Sequence, residues 1–229
     1  MPRRRSEHRS APGIPRYARD DEWRNTLRLT TLFAALALAA TLTAETIELD
    51  SAAGAMSNME ASFTHRFTAK GFKNSQVESG SVVFGSLPKM RWSYTSPEKK
   101  VFVFDGSQSW FYVPADNQVT LGRVSDAQKG ELPFLLLGDP AARAKHFIVK
   151  QTSKSGAIVT TLQPRSASAL VRNVVVTISP STHLISRIEY SDREGNRTSF
   201  DFSGYHRRAA SAATFRFDPP AGTQIVHAD

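Results

Sequence analysis

Two short runs constrain the fold more than anything else in this chain. In Lys100-Val-Phe-Val-Phe104 an extended strand would show Phe102 and Phe104 on one side and Val101 and Val103 on the other. In Ser109-Trp-Phe-Tyr-Val113 one side shows Trp110 and Tyr112, the other Phe111 and Val113. Successive side chains of a strand point to opposite faces, so these strands are apolar on both faces and must be covered on both. They belong to a long series. A period of two runs through 61–68, 80–85, 89–94, 100–104, 109–113 and 118–124, with turn signals at Lys70-Gly71, Leu87-Pro88, Thr95-Ser96-Pro97, Asp105-Gly106 and Pro114–Asn117. It resumes at 147–152, 157–163, 172–179, 184–191, 198–202 and 214–217. A flat sheet of about a dozen strands would leave two unprotected edges, so the pattern predicts a barrel or a strongly curled antiparallel sheet.

Helical spacing occurs in two places. Leu49, Ala52, Ala53, Met56 and Met59 recur on one side of 49–60, after Asp50-Ser51, which can cap. The methionines could adapt to a ligand or merely pack. A second helical island is predicted over 131–144, around Leu132-Pro133-Phe134-Leu135-Leu136-Leu137. These helices can cover one side of the sheet only. Either they fill the concave face or something else does.

The N-terminus reads differently. Residues 1–44 hold eight Arg against Glu7, Asp20, Asp21 and Glu22, and end in the uncharged stretch Leu29–Ala44. At 16 residues that stretch is short for a membrane span and closes on small residues. It is read as a signal peptide cut after Ala44 or Ala39, against the alternatives of a short buried helix or an uncleaved anchor. Arg3-Arg4-Arg5 is followed by polar Ser-Glu-His, unlike a twin-arginine signal. Residues 45–229 are then expected to form one domain, long enough to bury about two thirds of its unfolded surface. Half of the formal net charge of +8 lies in the leader, so the body is only mildly basic.

No catalytic arrangement emerges. The chain has no cysteine, which excludes a disulfide scaffold, a thiolate metal site, a Cys nucleophile and a lipidated Cys anchor. Ser86-Leu-Pro-Lys89 and Ser96-Pro-Glu-Lys99 fit a Ser-x-x-Lys pattern, but each contains Pro and no Lys-Thr-Gly accompanies them. Gly106-Ser-Gln-Ser-Trp110 lacks the second Gly of a nucleophile elbow. His65, His146, His183, His206 and His227 are scattered, with no metal-ligand spacing. Arg207-Arg208 reads as a solvated loop rather than a nucleic-acid contact, because the aromatics lie in apolar runs instead of alternating with Lys or Arg. Asn196-Arg-Thr198 fits a glycosylation acceptor, a short pattern that carries little weight alone. No enzyme activity, metal, cofactor or nucleic-acid partner is expected.

Four segments in order resemble the LolA family of periplasmic lipoprotein carriers. They are Ala61-Ser-Phe-Thr64 after a helix; Pro88-Lys-Met-Arg-Trp92-Ser-Tyr94-Thr-Ser-Pro97, similar to the family's Phe-Arg-Trp-x-Tyr-x-x-Pro hairpin; Asp105-Gly106 with Trp110-Phe-Tyr112-Val-Pro114 and Gln118-Val119; and Phe215-Arg-Phe217-Asp-Pro219-Pro220-Ala-Gly222. Pro133-Phe134 to Gly138 falls where the family has a mid-chain helix. The resemblance implies an unclosed antiparallel β-barrel with a helical lid over an apolar cavity. It implies a monomeric periplasmic chaperone that takes acylated lipoproteins from an inner-membrane lipoprotein-releasing ABC transporter to an outer-membrane acceptor.

With the aromatic-rich side of each strand turned inward, the expected acyl-chain cavity consists of Met90, Trp92, Tyr94, Phe102, Phe104, Trp110 and Tyr112, with Leu135 and Leu136 from the lid. The family usually carries an Arg before the Pro of the second hairpin that holds the lid shut. Ser86 or Leu87 stands there in this chain, which suggests either a weaker latch or a substitute such as Arg91, although alternation turns Arg91 away from Met90 and Trp92. Two other readings stay open: a lipid-binding envelope sensor or small-lipid carrier of the same fold, and an envelope enzyme acting through Ser96 or Ser107.

Overall fold

The computed structural model describes residues 47–124 and 133–228. The predicted leader and residues 131 and 132 lie outside that range. Helix α1 (Ile47–Ala55) leads into β1 (Met59–Thr68), β2 (Gln76–Phe84), β3 (Met90–Ser96), β4 (Lys100–Phe104), β5 (Gln108–Val113) and β6 (Gln118–Arg123). Helices α2 (Pro133–Leu137) and α3 (Pro140–His146) follow, then β7 (Phe147–Lys154), β8 (Ala157–Pro164), β9 (Val171–Ile178), β10 (Ile185–Asp192), β11 (Arg197–Arg207) and β12 (Gln224–Ala228).

All twelve strands join one sheet in the order β12-β6-β5-β4-β3-β2-β1-β11-β10-β9-β8-β7. The sheet is unclosed, with β12 and β7 as its edges. It is also curled. Trp92 on β3 and Phe200 on β11 are three strand spacings apart, about 14 Å in a flat sheet, yet their ring centroids are 5.3 Å apart. Neighbours pair antiparallel except β12, which runs parallel to β6.

Three expected elements differ. The first helix stops at Ala55, and Met59 and Glu60 belong to β1. Asn58 takes a left-handed φ of 58°; its N–H donates to Phe84 O at 2.9 Å, and its carbonyl accepts from Arg208 N at 2.9 Å. Pairing on both sides thus draws this segment into the sheet. The mid-chain helix is two helices broken at Gly138, where a Cβ would lie 2.6 Å from that of Leu87. Asp139 caps α3, accepting from Ala142 N at 2.9 Å, with Pro140 in the first turn. The expected strand at 214–217 is a 3-10 turn (Ala212–Phe215) and extended chain, and the last strand is β12. β12 satisfies the open edge of β6, guided by Asn117, whose side-chain amide donates to Gly222 O and whose carbonyl accepts from Gln224 N, both at 2.9 Å.

The two apolar faces have different covers. On the inner, concave side α1 buries Leu49, Ala52, Ala53 and Met56, and α2 buries Leu135 and Leu137, against Phe63, Phe84, Trp92, Phe104, Ile188 and Phe202 of the sheet. On the outer side of β2 to β6 the C-terminal segment forms a second core, with Phe215 buried alongside Val83, Val103 and Val119. A Cβ on Gly85 would approach the Phe215 ring to 2.7 Å, so the absence of a side chain there seats the strap. Elsewhere the outer face is polar, as at Arg66, Asp201, Arg187 and Glu189, which form ion pairs across β1, β11 and β10.

Candidate lipid-binding site

Register decides which side chains share the inner face. Met90 pairs with Phe104, Trp92 with Phe102 and Tyr94 with Lys100; on the next pair Ala61 faces Val82, Phe63 faces Gly80 and His65 faces Glu78. Phe63 and Phe200, with Phe202, continue the face onto β11. Beside this pair the rings of Trp92 and Tyr94 both reach Phe63 at 4.9 Å, edge on. Phe134 of α2 stands edge on against this floor, 5.0 Å from Trp92 and 4.9 Å from Phe200. Such edge-to-face contacts are the favoured arrangement of aromatic pairs.

Met90, Trp92 and Phe104 are therefore buried in the inner core, and Tyr94 and Phe102 pack against it. Leu135 is buried there from α2; Leu136 lies in the same helix, its side chain outside the described ones. Trp110 and Tyr112 correct the parity reading, because they lie on the outer face. Phe104 pairs with Ser109 and Val103 with Trp110, with four residues in the turn between. An even number of turn residues puts odd positions of β5 beside even positions of β4. Asp105 sets the turn, its carboxylate accepting from Ser107 N at 2.8 Å and Gln108 N at 2.7 Å. Tyr112 meets Phe217 of the C-terminal strap at 5.1 Å. On the inner face β5 presents Phe111 instead, 39% exposed beside Phe102.

Arg91 also faces outward, onto the C-terminal strap. Its guanidinium donates to Thr214 O and Arg216 O, both at 3.4 Å, and lies 6.0 Å from the Phe217 ring centre. The guanidinium within the cap is that of Arg143 on α3. It is 1% exposed, donates to Leu137 O at 3.4 Å and pairs with Asp50 of α1, so it joins all three helices. Where a latch Arg was expected, Ser86 and Leu87 border a cavity of about 210 Å³ between α1 and the α2–α3 junction.

The opposite end of the inner face is polar. Glu78 accepts from His65 Nδ1 at 3.2 Å and pairs with Lys100, whose ammonium lies 5.8 Å from the Tyr94 ring centre. Burial raises the carboxyl pKa of Glu78, but Lys100 and His65 outweigh it and hold the group below the ordinary carboxylate value. Burial lowers His65, outweighing the Glu78 carboxylate, so the imidazole is neutral near pH 7. Burial, reinforced by Glu78, pushes the Tyr94 phenol up.

Residues 55–218 match the family model described as outer membrane lipoprotein carrier protein LolA. The chain belongs to the LolA family. An outer-membrane lipoprotein carrier protein of Xanthomonas axonopodis pv. citri is 29% identical over 182 residues, covering 78% of this chain and 86% of that protein. A protein of the same name from Yersinia enterocolitica is 26% identical over 179 residues, covering 78% and 85%. Among solved structures, a LolA superfamily protein from Nitrosomonas europaea aligns with a TM-score of 0.46 at 13% identity, covering 77% of this chain and 99% of that one.

For this LolA-family chain, sequence reasoning missed Phe63, Phe200, Phe202 and Phe134 as inner-face residues. The first three had a signal: Phe63 follows Ala61 by two, and Phe200 and Phe202 alternate with Ser199, Asp201 and Ser203. Arg143 had none, since Arg143 and Lys145 look alike in a short basic helix.

Proposed function

We propose that this protein carries acylated lipoproteins through the periplasm, holding their acyl chains between the aromatic inner face and the helical cap. The observation that carries the reading is Phe134 resting on Trp92 and Phe200: the cap meets the floor through apolar surface that hydrocarbon can replace. The cap helices have nine, five and seven residues. Helices this short do not persist unpacked, so packing on the floor is what keeps them in place. Freeing the aromatic floor costs about 1.5–3 kcal/mol per apolar side chain lifted, whereas a sixteen-carbon chain returns roughly 11 kcal/mol at about 0.8 kcal/mol per methylene. Against a return to water, an acyl chain lying on the floor can therefore hold the cap open. The Asp50–Arg143 pair sets how readily it opens, in place of the Arg missing at Ser86–Leu87.

Residues 1–44 act as the export signal in this account. Cargo arrives from an inner-membrane lipoprotein-releasing ABC transporter and passes to an outer-membrane acceptor, and because it moves from one apolar host to another, the burial terms largely cancel at each exchange. No step needs a catalytic group. Native mass spectrometry of protein purified from periplasm, followed by lipid extraction of any added mass, tests this. A bound lipoprotein is the expected result. Protein that is empty and also ignores an acylated peptide contradicts the reading, and bound free phospholipid shifts it to lipid transport or sensing.

A further inference from the structure

His65, Glu78 and Lys100 are out of place as an ordinary surface ion pair. Ion pairs on β1, β10 and β11 otherwise lie on the polar outer face, as Arg66–Asp201 and Arg187–Asp201 do. Among the described residues, these three are the only acidic, basic or histidine side chains on the inner face of β1 to β4, where their neighbours are Phe63, Trp92, Tyr94 and Phe102. Each keeps about a fifth of its side chain exposed, with 19% for His65 and 20% for Glu78 and Lys100. They adjoin the aromatic floor directly: the His65 ring stacks on Phe200 at 4.3 Å, and Phe200 is the ring that meets Phe134 of the cap. Partly desolvated charges that are not needed to pair strands are costly to keep on an apolar face.

We propose that His65, Glu78 and Lys100 form a polar subsite at the rim of the acyl-binding face that takes the neutral amide or ester junction joining an acyl chain to its polypeptide. This deepens the carrier reading and rests on it. The chemistry fits that ligand class better than its neighbours. One carboxylate and one ammonium sum to zero charge, and the pair offers both an acceptor and a donor with hydrogens to spare. An amide presents its carbonyl to the Lys100 ammonium and its N–H to the Glu78 carboxylate; an ester uses the first contact only. A free fatty acid would bring its own carboxylate against Glu78, and a bare hydrocarbon would leave both charges without a partner. The subsite therefore selects lipid attached through a neutral linkage and ranks it above free fatty acid of equal chain length.

Calorimetric titration of the exported protein with an N-palmitoyl peptide amide and with palmitate reads this selectivity as a ratio of affinities. The wild type is expected to favour the amide-linked probe by about tenfold or more. Glu78→Gln and the double variant Glu78→Gln/Lys100→Met should each collapse the ratio to within about twofold while palmitate still binds. Asp201→Asn, which breaks the outer-face pairs, should leave the ratio at the wild-type value, separating recognition from strand pairing. The proposal is overturned by a wild type with no preference, by neutral variants that keep it, or by an equal collapse in Asp201→Asn. If the wild type binds neither probe, the carrier reading fails and takes the subsite with it.

Discussion

Replacing Asp50 by Asn should loosen the helical cap and leave the sheet intact. The substitution keeps the size of the side chain and removes the charge that faces Arg143, a guanidinium 1% exposed. Breaking a fully buried ion pair from one side costs about 3–5 kcal/mol. Asp50 is 31% exposed, so water recovers part of that interaction, and Arg143 keeps its bond to Leu137 O. We therefore expect about 2 kcal/mol, or roughly a thirtyfold rise in the population of the open cap. Amide hydrogen exchange reads this locally: protection within 47–55 and 133–146 should fall about thirtyfold, while β1 and β11 keep theirs. Protection lost equally from the central strands, or unchanged in the helices, would refute the assignment of this pair to the cap.

Two further outcomes follow from the same geometry. His65 titrates below its ordinary 6.5, so the unfolded chain takes up the proton first and stability falls as pH drops through 6.5; Glu78 lies below its ordinary 4.5, and the stability it supplies persists above that value and is lost below it. The melting temperature should thus decline in two stages on acidification, and His65→Gln should flatten the first, which sets in as pH falls through 6.5; an unaltered first stage contradicts this. Gly80→Ala should lower the melting temperature by several degrees, because its Cβ would lie 2.0 Å from Ser93 O in the β2–β3 ladder; a melting curve matching the wild type would contradict this.

Legibility from sequence followed the range of the forces involved. Strands β1 to β11 were visible because alternation and turn residues are local, and the need to cover both faces of 100–104 and 109–113 was visible for the same reason. What covers the outer face was not, since β12 and the Phe215–Phe217 strap depend on a parallel partner more than a hundred residues away. Of the residues expected to share the inner face, Met90, Trp92 and Phe104 lie in its core, whereas Trp110 and Tyr112 lie on the outer face because the turn at Asp105–Gln108 has an even number of residues. Arg91 was rightly placed opposite Met90 and Trp92 by alternation, which removes it as a latch on the cap. The pairing of His65 with Glu78 and Lys100 comes from register across four strands, which no local pattern encodes.

Two tryptophans on opposite faces of the sheet test whether acyl chains lie on the inner face. Trp92 belongs to the inner floor and Trp110 to the outer face. A palmitoyl peptide brominated along its chain quenches indole fluorescence at contact distance. In the exported protein carrying Trp110→Phe, the remaining Trp92 emission should be strongly quenched on titration. With Trp92→Phe instead, the Trp110 emission should stay nearly constant. Quenching of Trp110 with Trp92 spared would place the lipid outside the cap and contradict the account.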